Sequence, residues 1–150
     1  MSRKILIAGG VGGGASVAAR ARRLDEQAEI IMFEKGPHVS FSNCALPYYL
    51  SRTVKDSNAL VLKEPEQFWK QYRVDVRVNC EVTGIFRREK KVVVHNLNTN
   101  EEYKESYDKL VLSPGAVPVR PKSIEGVNAA NVFTIRNVVD IRRLDDYISE

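Results

Sequence analysis

The feature that most constrains this chain is a run of glycines near its start, Ile7-Ala8-Gly9-Gly10-Val11-Gly12-Gly13-Gly14-Ala15. Residues 3–8 ahead of it form a short apolar strand, and residues 15–24 behind it, rich in alanine and arginine, read as a helix. Residues 29–34 form a second strand. A strand, a glycine turn, a helix and a strand make a unit with parallel strands and place the chain in the α/β class. In a dinucleotide fingerprint the first glycine permits the tight turn, the second lets the backbone approach a pyrophosphate, and the third lets helix and strand pack closely. Two frames fit: from Gly9 the key positions are Val11 and Gly14, and from Gly10 they are Gly12 and Ala15. Glu34 ends the next strand twenty residues past Gly14, near the spacing of an acid that accepts hydrogen bonds from a ribose. Its charge disfavours a 2′-phosphate, which favours FAD or NAD over NADP at this turn. The helix N-terminus adds backbone N–H groups and partial positive charge for the pyrophosphate.

Beyond this unit, residues 40–51 read as a loop leading into a short helix. Residues 65–72 read as a helix, with Phe68, Trp69 and Tyr72 expected to pack on a core. Alternating Val74, Val76 and Val78 open a run of strands that reaches residue 107, read as a β-meander inserted after the first α/β unit, with Asn96-Leu97-Asn98-Thr99-Asn100 as a turn between two of its strands. Residues 110–113 form one more apolar strand ending at Pro114-Gly115. Residues 138–148 form an amphipathic helix with no glycine stop after it, so the domain is expected to continue past the chain.

Composition narrows the class further. One hundred and fifty residues with 43% hydrophobic and 28% charged content suit one globular domain. No apolar run approaches the length of a membrane span. The run at residues 5–8 is too short for a secretion-signal core and is followed by glycines, so a cytoplasmic chain is expected. The net charge of +4 comes from bases interleaved with acids, which does not read as nucleic-acid binding. His38 and His95 carry no metal-ligand spacing and are expected at the surface.

Two cysteines, Cys44 and Cys80, lie far apart. Cys44 has no second cysteine within four residues, so no dithiol forms locally, and it sits where a helix would begin, a setting that favours thiolate. Asn43 and Ser40 stand near enough in sequence to offer it hydrogen bonds. These facts alone leave an inert buried cysteine open as well. Cys80 is expected to point into the core.

Four motifs occur in one order: the turn at residues 9–14, Phe33-Glu34-Lys35, Ser40-Phe41-x-Asn43-Cys44-x-Leu46-Pro47-Tyr48 and Leu112-Ser113-Pro114-Gly115-Ala116. Together they resemble the coenzyme A-disulfide reductases and their persulfide-reductase relatives among the flavin disulfide reductases, across essentially the whole chain. The resemblance favours the frame that begins at Gly9. It implies a Rossmann-like FAD-binding domain with a parallel sheet and an inserted antiparallel β-meander. Residues 1–150 would be the N-terminal portion of a discontinuous domain, closed by a later Gly-Asp segment. The nicotinamide-binding and dimerisation domains would lie outside this chain, in a homodimeric parent.

It also implies roles for individual residues. Gly9, Gly10, Val11, Gly12, Gly13, Glu34, Lys35, Val82, Ser113, Pro114 and Gly115 would meet FAD. Ser16, Arg20 and Arg23, on the first helix, would meet coenzyme A, with Ser40 and Asn43 beside the substrate sulfur; a lysine that meets CoA in some relatives is replaced here by Tyr72. Electrons from NAD(P)H would pass through FAD to Cys44, which would cycle between thiolate and a mixed disulfide with CoA. A small-molecule disulfide or persulfide is the implied substrate, and the chain alone is expected to be inactive. Asn43 and Leu46-Pro47-Tyr48 argue against the NADH oxidase and peroxidase branch, whose cysteine cycles through a sulfenic acid. A non-catalytic nucleotide-binding module is the remaining alternative. No metal is implied.

Overall fold

The computed structural model describes residues 2–149. The chain forms two compact units, each built from two stretches of sequence: one holds the residues up to Ser40 with Lys63–Pro114, the other holds Phe41–Leu62 with the residues from Gly115 onward.

The first unit is organised by a parallel sheet. Strands β1 (Lys4–Ala8), β2 (Glu29–Glu34), β3 (Val74–Val78) and β7 (Lys109–Leu112) lie in the order β3-β2-β1-β7, every neighbouring pair parallel. Strands β4 (Cys80–Phe86), β5 (Lys91–Asn96) and β6 (Glu101–Ser106) form a separate antiparallel meander. Side chains alternate across a strand, and here both faces of the sheet are covered. Ile7, Ile30 and Met32 pack with Ala18 of α1 (Gly12–Leu24) and Phe68 of α3 (Pro65–Tyr72). Their neighbours Leu6, Ile31 and Phe33 pack with Cys80, Val92 and Val94 of the meander. Double coverage explains why β1 and β2 read as unbroken apolar runs.

Local chemistry sets the element ends. Helix α3 starts with a reciprocal cap, in which the Glu64 side chain takes the Gln67 N–H and the Gln67 side chain takes the Glu64 N–H at 2.8 Å, with Pro65 in the first turn. It ends at Arg73, which adopts a left-handed φ of 50°. The turn between β5 and β6 is held by Asn96, whose Oδ1 accepts the Asn98 and Thr99 N–H groups.

Three readings change. Val74, Val76 and Val78 belong to the parallel sheet and not to the meander: the reversal at Arg73 sets the strand beside β2, and alternation by itself carries no strand direction. Helix α1 begins at Gly12 rather than Ala15. Trp69 is 51% exposed, with the Arg73 guanidinium over its ring, while Phe68 takes the core position.

The second unit is smaller. A 3-10 turn at Asn43–Ala45 runs into the short helix α2 (Leu46–Leu50), and a second 3-10 turn spans Ser57–Leu60. Helix α4 (Val138–Ser149) closes an apolar cluster of Leu46, Leu60, Val138 and Ile141. Among the described residues, no helix is long and apolar enough to cross a membrane, and no group of His, Cys, Asp or Glu could hold a metal ion.

Arg22 ties the first unit together. Its guanidinium donates to five carbonyls, those of Asp25, Glu26, Ala28, Tyr72 and Arg73, at 2.6–3.1 Å. Arg22→Ala leaves several half-buried carbonyls without a donor and is expected to cost about 2–4 kcal/mol, read as a lower denaturation midpoint in urea.

A second tie joins β1, β3 and β6. Glu105 accepts from Lys4 at 2.8 Å and from Arg77 at 3.1 Å. Burial alone would push its carboxyl up; the Lys4 and Arg77 hydrogen bonds outweigh burial and hold it below the ordinary value of 4.5. A depressed carboxyl contributes stability that is complete above its unfolded value and lost as pH falls through the folded value. Glu105→Gln should therefore be clearly less stable than wild type at pH 7, with the gap closing as pH drops below about 4.5, as urea titrations across that range would measure.

Candidate functional site

The glycine turn of the first unit is defined by close backbone contacts. Gly9 has φ +101°, and a Cβ there would collide with the Ser113 carbonyl. A Cβ on Gly14 would collide with the Gly9 carbonyl. These are the demands of the first and last fingerprint positions, so the backbone uses the frame that begins at Gly9. Gly13 faces Ser113 Oγ, which would lie 2.6 Å from an added Cβ. Gly12 differs from all of these, because beyond its chain neighbours and its own helix backbone no atom among the described residues lies within 4 Å of the place its Cβ would occupy. Val11, at the N-cap of α1, supplies no side-chain cap. The first turn of a 13-residue helix thus presents N–H groups and its positive dipole end to an open cradle.

Glu34 stands beside this cradle. One carboxylate oxygen accepts the Gly10 N–H at 2.7 Å, and the other accepts the Gly36 N–H at 2.9 Å. The acid predicted for a ribose holds the turn, a role the sequence spacing did not disclose. Each oxygen keeps a lone pair. The Gly9 N–H donates to the Phe33 carbonyl and the Ser113 N–H to the Ala8 carbonyl, so the strand ends carrying Glu34 and Ser113 are pinned to the turn.

The other predicted positions of this unit fall as follows. Lys35 pairs with Glu81 at 2.9 Å. Val82 is half-buried opposite Val94, beside a bulge that precedes Gly84. Arg20 and Arg23 lie on the exposed surface of α1, and Ser16 there returns its hydroxyl to the Gly12 carbonyl at 2.8 Å. Ser40 has φ +52°, and its N–H donates to the Gly10 carbonyl. Pro114 is exposed at the end of this unit.

The second unit carries Cys44, exposed in the 3-10 turn ahead of α2. The hydroxyl that meets its sulfur belongs to Ser42, 3.3 Å away. Sequence reading named Ser40 and Asn43 for that contact and missed Ser42. Asn43 is exposed beside the cysteine, and Ser40 belongs to the first unit. Gly115 takes φ +69°, close to the Arg136 guanidinium, which donates to the Ala116 carbonyl. Cys80 is the opposite of Cys44: it is 6% exposed in the sheet–meander core, and burial pushes its thiol up. Exposure thus removes the buried reading for Cys44, and burial keeps it for Cys80.

A glycine-turned parallel unit with an open helix N-terminus and an acid at the end of β2 defines a Rossmann-like dinucleotide-binding domain, and the residues present fit a dinucleotide. The family model for pyridine nucleotide-disulphide oxidoreductases matches residues 3–149. The chain belongs to that family, whose members use FAD and NAD(P)H, and its fold is that of their FAD-binding domain. It is 40% identical to the coenzyme A disulfide reductase of Staphylococcus epidermidis over 146 residues, which cover 97% of this chain and 32% of that protein. Among solved structures it is similar to reduced CoADR-RHD of Bacillus anthracis, with TM-score 0.96 and 49% identity over 100% of this chain and 27% of that one. It is also similar to a NAD-dependent persulfide reductase from A. fulgidus, with TM-score 0.91 and 31% identity over 97% of this chain and 27% of that one. The chain spans about a third of the length of the curated relatives it matches.

Gly12 and Gly14 separate binding from folding. Gly14→Ala forces two backbones apart and should cost about 3 kcal/mol. Gly12→Ala points its methyl into open space, so its thermal midpoint should stay close to wild type while its affinity in a flavin titration falls if this turn holds the pyrophosphate.

Proposed function

We propose that this chain is the flavin-binding, cysteine-bearing portion of an NAD(P)H-dependent reductase of coenzyme A disulfide or of CoA and related persulfides. The observation that carries the reading is Cys44: a single exposed thiol beside the Ser42 hydroxyl, within Asn43-Cys44-x-Leu46-Pro47-Tyr48. The Staphylococcus epidermidis coenzyme A disulfide reductase and the A. fulgidus persulfide reductase, to which the chain is similar, support it. In this reading the rest of a homodimeric, cytoplasmic parent supplies the closing flavin segment, the nicotinamide-binding domain and the dimerisation domain, and this chain alone does not turn over.

The cradle at Gly9, Gly10, Val11, Gly12 and Gly13 would hold the pyrophosphate of FAD. Glu34 would take the ribose, with Lys35, Val82, Ser113 and Pro114 nearby along the cofactor. Bound FAD would relay two electrons from NAD(P)H to sulfur. Arg20 and Arg23 would draw in the phosphates of coenzyme A, and Ser16 would add a hydroxyl on the same helix. The Cys44 thiolate attacks one sulfur of the substrate disulfide; that S–S bond breaks, and the first CoA thiolate leaves and takes a proton. A Cys44–CoA mixed disulfide remains. Two electrons then break it, releasing the second CoA thiolate and restoring the Cys44 thiolate. A hydrogen bond from Ser42 would favour that thiolate before attack and after release. With CoA as the second sulfur, one protein cysteine suffices, which agrees with the burial of Cys80.

The test uses the full-length flavoprotein with CoA disulfide, a CoA persulfide, peroxide and oxygen in turn. Cys44→Ser should reduce disulfide turnover to background while Cys80→Ala keeps it. Turnover confined to peroxide or oxygen would move the protein to a sulfenic-acid mechanism, and a fully active Cys44→Ser would make the domain a non-catalytic nucleotide binder.

A further inference from the structure

We infer that Asp145, which the proposed reaction does not use, is a positioning residue for Cys44; the inference rests on reading Cys44 as the reacting thiol. Helix α2, which follows the cysteine, has five residues and no side-chain cap. A helix of that length does not sustain itself in water, so its placement comes from α4. Leu46 is buried with Leu60, Val138 and Ile141, and Tyr49 and Leu50 pack against the same cluster. An apolar layer fixes how far apart two helices lie but resists rolling and sliding weakly, because it is not directional.

A polar triangle supplies the missing direction. The Tyr49 hydroxyl donates to Asp145 Oδ2 at 2.9 Å. Arg52 Nη2 lies 2.8 Å from Asp145 Oδ1, and the Arg52 guanidinium sits 5.9 Å from the centroid of the Tyr49 ring. Each of the three side chains therefore touches the other two. Arg52 reaches this place because it turns left-handed just past the helix, with φ +62°, while its N–H donates to the Tyr49 carbonyl. The Asp145 side chain is only 14% exposed. Among the described residues its Oδ1 receives no well-directed hydrogen bond, so the Arg52 guanidinium serves that oxygen as counter-charge. The Arg52 contact first, and the Tyr49 hydroxyl second, hold the Asp145 carboxyl below its usual value; the same carboxylate, followed by burial, raises the Tyr49 phenol.

Helix α4 also grips the far side of the cysteine segment. Arg142 donates to Ser57 Oγ and Asn58 Oδ1, both at 3.0 Å, in the 3-10 turn that ends at Leu60. The Leu60 carbonyl accepts the Ser42 N–H at 2.9 Å, two residues before Cys44. Segments on either side of the thiol are thus fastened to one helix, and Asp145 is the acidic member of the fastening.

The experiment compares Asp145→Asn, Tyr49→Phe and Asp145→Glu in the full-length flavoprotein. It reads kcat and KM for CoA disulfide and, independently of turnover, the rate at which iodoacetamide alkylates Cys44. Flavin content and thermal midpoint report folding, and Tyr49→Phe, which removes one oxygen, keeps the test open if Asp145→Asn folds poorly. Expected are a kcat about tenfold lower with KM within about twofold, an alkylation rate changed at least about threefold, and partial recovery in Asp145→Glu, since small misplacements of a reacting group cost rate steeply. Alkylation and kcat within about twofold of wild type in both Asp145→Asn and Tyr49→Phe would overturn the inference, as would losses that track the lost flavin alone. If wild type reduces no CoA disulfide, the functional reading falls, and the alkylation series still decides the role of Asp145.

Discussion

The first unit depends on one close crossing of backbones. The Gly9 carbonyl lies where a Cβ on Gly14 would be, and the Ser113 carbonyl lies where a Cβ on Gly9 would be. Three chain segments therefore meet with no side chain between them: the end of β1, the first turn of α1 and the exit from β7. This proximity lets the Ser113 N–H reach the Ala8 carbonyl and the Gly9 N–H reach the Phe33 carbonyl. It also brings the N-terminus of α1 beside the carboxylate of Glu34. Gly12 is left over from this packing, with open space where its Cβ would lie.

The sheet turns the same constraint into a core. Ile7 and Leu6, Met32 and Phe33, and Ile30 and Ile31 are adjacent pairs, and each sends one member to the helices and one to the meander. The strand limits of β2 and the span of α3 were legible in the sequence because their signals are local: an apolar run bounded by polar residues in one, Pro65 and a Glu64–Gln67 cap in the other. The partner of β3 was not legible. Val74, Val76 and Val78 announce a strand, but its assignment to the parallel sheet follows from the reversal at Arg73, and nothing about an arginine in sequence predicts φ of 50°. Trp69 and Phe68 show a similar limit, since adjacent aromatics on one helix cannot both face the core and composition does not say which one does.

The cysteine segment divides along the same line. The isolation of Cys44 and the motif around it stand in the sequence. That Ser42, rather than a neighbour in the motif, meets the sulfur depends on the local 3-10 turn. The contacts of Tyr49 and Arg52 with Asp145 join positions far apart in the chain and leave no local trace. Arg22 is the counterpart in the first unit: between Ala21 and Arg23 it looks like one more basic residue at a helix C-terminus, yet it collects five carbonyls from two parts of the chain. Residues that act through distant partners are the ones a single sequence conceals.

The composition of the second unit has a consequence for synthesis. The apolar floor of the unit that holds Cys44 is made of Leu46 and Leu60 from one stretch and of Val138 and Ile141 from another. During translation the thiol emerges roughly ninety residues before that floor can be completed, an interval on the order of ten seconds at ordinary elongation rates. Through that interval the nascent chain carries the Cys44 thiol on a peptide whose packing is incomplete. Its protection then rests on the redox state of the surroundings and on any chaperone that covers it, and helix α4 acts as a late maturation step for a residue encoded far upstream.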